Sequence, residues 1–275
     1  MKVFVINMAK DVRRRQDMTR QLDRLGLDYE FFEAIDGKKI DESLLLEIAN
    51  KDSLEETQKR PIEELRGMIG GTYSNYLVYQ RMMKEDIQRA CILEDDIILS
   101  SDFKEYLDYI EGEIGENEIV SFHTLLFSEI SLNPTGRTYK ECELMTPVPA
   151  AVRGAQGYVV TKHCASQLMK EMIPIKDFPD CFNRYHLFCP DVQIRVLYPF
   201  VMRHMWINSV RDDKLYGLKD RLINYCQNKR LFPFWNFIRR RRRLVNDNYI
   251  QGFITNQQGS MYVSELQKDS FWAKL

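Results

Sequence analysis

The chain has 275 residues, 44% of them apolar and 29% charged, and a formal net charge of −1. That is an ordinary soluble composition, long enough for a sizeable core in one or two domains. Six cysteines without a Cys-x-x-Cys pair speak against a disulfide framework and for a reducing compartment, and four histidines without a tight Cys/His cluster speak against a structural zinc site.

Val3-Phe4-Val5-Ile6 follows the start after a single Lys, which is too short for a signal peptide. No apolar run reaches the roughly 18 residues of a membrane span. Val3–Ile6 reads as a first, central strand, and the polar stretch from Asn7 to Asp11 follows it. Asp11 is placed to cap a helix through Arg13-Arg14-Arg15 to Leu25, with Met18, Leu22 and Leu25 on one face and Gly26 as the stop. Tyr29–Ala34 reads as a second strand and Asp36-Gly37 as a tight turn. This is a βαβ pattern without the glycine-rich loops of dinucleotide-binding or P-loop proteins, so a nucleotide must be held another way.

Ile40–Lys59 is polar and helix-prone, and is expected on the outside. After Pro61 a long helical pattern runs from Glu63 to Asp86. Gly67, Gly70 and Gly71 inside it each cost about 1 kcal/mol relative to Ala, which implies close backbone packing, a broken helix or a nearby ligand. The apolar run Cys91-Ile92-Leu93 then climbs into Glu94-Asp95-Asp96. A helix leading into a buried parallel strand puts these acids at the strand's carboxyl end, where open α/β sheets bind ligands. Adjacent carboxylates repel one another unless solvent or a positive group is present, and a divalent cation carrying a diphosphate would supply that charge. A solvated acidic turn is the plainer alternative. Alternation along an extended strand points Glu94 and Asp96 one way and Asp95 the other.

Phe103–Ile110 reads as an amphipathic helix, Ile119–Phe122 as a short strand that His123 follows, and Asn133–Gly136 as a turn. Val148–Val152 and Tyr158–Val160 read as paired strands joined through Arg153-Gly154-Ala155-Gln156-Gly157, where Arg153 beside glycines is a phosphate-binding candidate. Thr161 is placed to cap a helix from Lys162 to Met172. Asp177-Phe178-Pro179-Asp180 opens a further helix, and Val192–Tyr198 reads as a late strand whose flanking Pro190 and Pro199 are consistent with an edge or with strand termini.

The last third changes character. Residues 211–245 hold eleven Lys or Arg against three Asp, a local net of +8 that leaves −9 on the rest. The aromatic run from Leu231 to Ile238 continues into Arg239–Arg243. Aromatic wedges beside poly-Arg suit an anionic membrane surface at about 1 kcal/mol per basic residue. The alternatives are a helix with its aromatics in the core and, less favoured, a nucleic-acid surface.

Several of these pieces, in order, resemble glycosyltransferase family 25, the bacterial lipopolysaccharide and lipooligosaccharide sugar transferases related to collagen galactosyltransferases. They are Val3–Asn7 with Arg13-Arg14, Phe31–Gly37, Arg66–Asn75, Ile92–Asp96, Gly157–Thr161 and Asp177–Asp180. The match runs from about Met1 to Ser209. It departs at Asn75, where the family usually has His, and at Gly71 or Thr72, where it has Cys. Asn keeps hydrogen bonding but is no base near neutral pH.

The resemblance implies an α/β chain with a GT-A-type nucleotide-sugar-binding fold and a mixed central sheet. It implies a catalytic domain over residues 1–210, followed by a basic aromatic extension over 211–275 packed on it and facing a membrane. The implied reaction is an inverting transfer of a hexose, most readily galactose from UDP-galactose, to a lipooligosaccharide or lipopolysaccharide acceptor. UDP-glucose or UDP-N-acetylglucosamine as donor, or a catalytically silent sugar-nucleotide-binding protein, are the alternatives. Mn²⁺ or Mg²⁺ would bridge carboxylates and diphosphate, with Asp96 and Glu94 as its ligands. Donor-binding roles fall to Asn7, Arg13, Arg14, Asp36, Asn75, Glu94, Asp95, Arg153 and Ser209. Inversion needs a base for the acceptor hydroxyl, and Asp180, then Asp177, is the candidate, although either would also serve as a helix N-cap. The expected partners are a nucleotide sugar, a glycolipid acceptor and, through Phe232–Arg243, an anionic membrane surface, with no nucleic acid and room for an oligomer. The expected place is cytoplasmic, peripheral on the inner membrane.

Overall fold

The computed structural model describes residues 1–123, 132–147, 154–176 and 189–204. Its elements, in chain order, begin with β1 (Lys2–Asn7), α1 (Val12–Arg24), β2 (Glu30–Glu33), α2 (Glu42–Ile48), α3 (Lys51–Gln58) and α4 (Ile62–Lys84). There follow β3 (Arg89–Glu94), β4 (Ile97–Leu99), α5 (Phe103–Glu113), β5 (Glu118–Ser121), β6 (Leu132–Tyr139) and β7 (Cys142–Pro147). The last are β8 (Gly157–Thr161), α6 (Lys162–Met172), β9 (Gln193–Tyr198) and β10 (Met202–His204).

Eight strands form one mixed sheet in the order β2-β1-β3-β8-β5-β9-β7-β6, while β4 pairs with β10 in a separate ribbon. β1 runs parallel to β2 and β3, so all three carboxyl ends share one edge. β8 is antiparallel to both β3 and β5. The α/β layering and mixed sheet are those the resemblance implied.

Strand alternation sorts the core into two layers. Phe4, Ile92, Tyr158 and Val160 pack with Val78, Tyr79 and Met82 of α4 and Leu168 of α6. Val3, Val5, Cys91, Leu93 and Val159 pack with Met18 and Leu22 of α1 and Phe103, Leu107 and Ile110 of α5. Thr161 caps α6 by accepting from Cys164 N at 3.1 Å. Asp11 occupies the capping position of α1 without a side-chain cap bond.

Four expectations are revised. β1 is paired on both sides but lies next to the β2 edge, not at the centre. The stretch 40–59 is not merely external: Leu45, Ile48 and Leu54 are buried with Leu65 and Ile69 in a third apolar cluster. Asn133–Gly136 is no turn but part of β6, whose register breaks between Pro134 and Thr138. Because β6 is an edge strand, Pro134 removes no ladder bond that the sheet needs. For β9 the second of the two alternatives holds: the strand is interior, between β5 and β7, and Pro190 and Pro199 stand just outside its termini. Residues 148–152, proposed as the partner of Tyr158–Val160, lie outside the described residues, and that strand pairs with β3 and β5.

α4 runs unbroken through its glycines. At Gly70 the reason is close backbone packing, since a β-carbon there would lie 2.6 Å from Ile35 O and 2.7 Å from Gly37 N. The helix thus presses on the loop after β2 and fixes it at the carboxyl edge.

Away from that edge, Glu118 is a buried anchor for the far half of the sheet. It accepts from both terminal nitrogens of Arg137 and from Arg195 Nε, each at 2.8 Å, and from Gly115 N at 2.9 Å. Burial pushes its pKa up, but Arg137, the Gly115 N–H and Arg195 prevail and hold it below the ordinary value. A depressed folded-state pKa stabilises the fold above the unfolded value and loses that stabilisation as pH falls through the folded one. We therefore expect Glu118→Gln to cost about 1.5–3 kcal/mol at neutral pH, since it leaves two guanidiniums without their carboxylate. Urea titrations across the acid range should show the gap from wild type closing as pH falls. A gap independent of pH would refute this account.

Candidate active site

The site is built where β1 and β3 end side by side. Asn7 closes β1, and Ile6 stands opposite Glu94, the last residue of β3. Beyond Glu94 the strand ends and the chain bends. Asp95 and Asp96 are both buried there. Asn7 Nδ2 donates to Asp95 Oδ2 at 2.7 Å. Arg14 Nη1 reaches Asp95 Oδ1 at 3.0 Å and Asp96 Oδ2 at 3.2 Å.

This revises the alternation expected for the three acids. Glu94 has the strand parity of Ile92 and faces the α4–α6 layer, whereas Asp95 and Asp96 both turn to the guanidinium on α1. The reason is that the extended conformation stops at Glu94, so period-two alternation no longer governs Asp96. Burial disfavours charge on Asp95 and pushes its carboxyl upward, against Asn7 and Arg14. Burial also works against the charge of Arg14, but Asp96 and Asp95 outweigh it and raise its pKa.

The sequence places Arg14, not its neighbours, at this point. Arg14, Met18 and Gln21 recur at helical spacing on one face of α1. Met18 is fully buried. Gln21 donates from Nε2 to Ile97 O at 3.0 Å and accepts from Leu99 N at 2.9 Å, which clips α1 to the segment just after the acids. Arg13 points into solvent. Arg15 lies over the Phe31 ring at 4.1 Å.

Asp36 lies on the same edge. It accepts from Lys38 N at 3.2 Å and pairs with Lys10 at 3.0 Å. The Lys10 hydrogen bond holds its carboxyl below the ordinary range. Asn75 is 5% exposed and sits in an internal chain. Its Nδ2 donates to Gly71 O at 3.0 Å, and its Oδ1 accepts from Tyr158 Oη at 2.8 Å. With that proton committed, the 2.6 Å contact between Tyr158 Oη and Tyr79 Oη has Tyr79 as its donor. Asn75 thus ties α4 to β8 under the site. His123 packs against Phe200, with ring centroids 5.2 Å apart.

Arg153, Asp177, Asp180, Ser209 and the Phe232–Arg243 stretch lie outside the described residues. The structure therefore unites Asn7, Arg14, Asp95 and Asp96, sets Glu94 on the opposite face of the sheet, and places Asp36 at the neighbouring strand end. Two side chains escaped the sequence reading: Gln21, for which the i+7 spacing from Arg14 was a usable signal, and Gln156, for which only the antiparallel pairing of β3 and β8 provides one.

Among the described residues, no three or more His, Cys, Asp or Glu side chains are grouped to hold a metal ion, and no helix is long and apolar enough to cross a membrane. The oxygen donors at the edge are carboxylates. These fit a hard divalent cation of the kind that takes one or two protein carboxylates and completes its shell with substrate phosphates and water.

The model of glycosyltransferase family 25 (LPS biosynthesis protein) matches residues 1–182, which include every element that builds this edge. The chain belongs to glycosyltransferase family 25. It is 25% identical over 192 residues to a glycosyltransferase 25 family member of Aedes aegypti, covering 66% of this chain and 31% of that one. It is 26% identical over 199 residues to procollagen galactosyltransferase 2 of Homo sapiens, covering 66% and 30%. A putative glycosyltransferase of Haemophilus influenzae is 24% identical over 169 residues, covering 61% of this chain and 56% of its own length. The chain thus spans about a third of the animal relatives and about half of the bacterial one.

Proposed function

We propose that this chain transfers a hexose from a nucleotide sugar to the hydroxyl of a saccharide acceptor. The observation that carries the reading is the buried Asp95–Asp96 pair, oriented by Asn7 and Arg14 at the carboxyl edge, in a chain of this family. In the finer reading the donor is UDP-galactose, the transfer inverts the anomeric centre, and the acceptor is a lipooligosaccharide or lipopolysaccharide. The names of the relatives support this: one is a galactosyltransferase, and the family description refers to LPS biosynthesis.

In this reading Asp96 would hold Mn²⁺ or Mg²⁺, which would supply positive charge to the departing phosphate, and Glu94, on the other face of the sheet, would serve the ion only through bound water. Arg14, released from sharing two carboxylates, turns toward the diphosphate. Asp36, Asn7 and Arg13 contribute to the nucleoside end. The acceptor oxygen attacks C1 of the hexose, the C1–O bond to phosphate breaks, and UDP leaves. Asp180, or Asp177 in its place, takes the acceptor proton. The Phe232–Arg243 segment holds the protein on the cytoplasmic face of the membrane that carries the glycolipid.

The test is release of UDP from a panel of UDP-sugars, with and without Mn²⁺ and with crude glycolipid acceptor. One UDP-hexose should be turned over far faster than the rest, and chelation should stop it. Neither binding nor turnover of any donor would leave a silent relative as the better reading.

A further inference from the structure

We propose that Gln156 is a specificity-determining residue, its carboxamide oxygen accepting a hydrogen bond from a hydroxyl of the donor hexose. This rests on the nucleotide-sugar reading above. Gln156 stands next to Gly157 at the start of β8, one step beyond the Leu93–Gly157 pair, so it lies opposite Glu94. Its carbonyl accepts from Glu94 N at 2.8 Å.

Gln156 is 6% exposed, yet its Oε1 is buried and has no hydrogen-bond donor among the described residues. A buried carboxamide oxygen without a partner is uncommon in a folded chain and calls for an explanation. The local backbone makes room for it. Gly154 has φ +98°, and a β-carbon there would collide with Gln156 Oε1. The amide is thus held in place by a left-handed glycine rather than by a hydrogen bond at its oxygen.

Strand order gives the ligand. A nucleotide sugar is linear: nucleoside, diphosphate, hexose. Across the edge the strands run β2, β1, β3, β8. Asp36 and Asn7 follow β2 and β1, the acids follow β3, and Gln156 precedes β8. With the diphosphate at the acids and the nucleoside on the β1–β2 side, the hexose lies on the β8 side. Its hydroxyls are the O–H donors that an amide oxygen accepts.

The test is calorimetric titration of the full chain with UDP, UDP-galactose and UDP-glucose, comparing wild type with Gln156→Met and Gln156→Glu. Gln156→Met keeps length and removes the acceptor. It should bind UDP within about twofold of wild type, lose about tenfold for the preferred UDP-hexose, and discriminate less between the two epimers. Gln156→Glu keeps an acceptor oxygen and should restore the hexose contribution. Equal losses for UDP and UDP-hexose would make the amide a structural or ribose contact and overturn the proposal. So would an unchanged hexose contribution in Gln156→Met. A wild-type chain that binds none of the three ligands would overturn the nucleotide-sugar reading, and this proposal with it.

Discussion

Asp96→Ala should lower metal-dependent release of UDP from the preferred donor by about 10²–10³-fold, the range for removing one preorganised charge-stabilising group. The fold should survive, because Arg14 keeps Asp95 and Asp95 keeps Asn7. Melting curves of wild type and variant should therefore lie close together while turnover collapses. Two companions sharpen the result. Asp95→Asn loses charge at a position bound on both oxygens, so its first effect should be on stability. Glu94→Gln, acting through bound water, should raise the Mn²⁺ concentration needed for half-maximal rate by about tenfold. Near-normal turnover by Asp96→Ala at saturating Mn²⁺ would remove Asp96 from the proposed chemistry.

Arg14→Met is expected to be the most destabilising single change at this edge. It leaves two adjacent buried carboxylates without their shared guanidinium. The side chains of Arg14, Asp95 and Asp96 are 16%, 10% and 8% exposed, so little solvent screens the loss. Breaking such a buried arrangement from one side costs about 3–5 kcal/mol. For a chain of this size that is a fall in Tm of about 6–15 °C. Arg14→Lys should recover part of it, since an ammonium supplies charge without the planar fork that reaches two acids. Arg13→Met, one residue away but in solvent, should change stability by no more than about 0.5 kcal/mol. Equal melting temperatures for the Arg13 and Arg14 variants would show that the Arg14 bridge does not contribute as argued.

Local patterns carried much of the fold. The apolar run Val3–Ile6, the 3.6-residue stripe through Met18 and Leu22, and the run from Cys91 into the acids place β1, α1 and β3 without tertiary information. Thr161 before an amphipathic stretch marked the start of α6, because a hydroxyl that caps a helix acts on its own next turn. The ordered motifs placed the chain in its family, and the acids at a strand's carboxyl end marked the edge at which Asn7 and Arg14 meet them.

What failed locally was decided by neighbours far along the chain. Pro134 and Gly136 carry turn chemistry, yet they lie in a strand because an edge position tolerates a missing donor and a bulge. The prolines flanking Val192–Tyr198 left an edge strand or plain strand ends open, and only the pairing with β5 and β7 decides for strand ends.

The site divides in the same way. That an arginine from the first helix and the acidic triplet belong to one edge was legible. Which carboxylates share Arg14 was not, because that depends on where extended backbone stops, and Asp96 lies two residues past the last paired position. Asn75 was legible as a departure from its family, but its bond to Tyr158 spans 83 residues. Gln156 carried no local signal, since its place beside Glu94 exists only through the antiparallel pairing of β3 with β8. Sequence determined the elements and the chemical groups, because propensity and periodicity act over a few residues. Tertiary structure decided which of those groups meet, because strand register and helix docking are set by contacts dozens of residues apart.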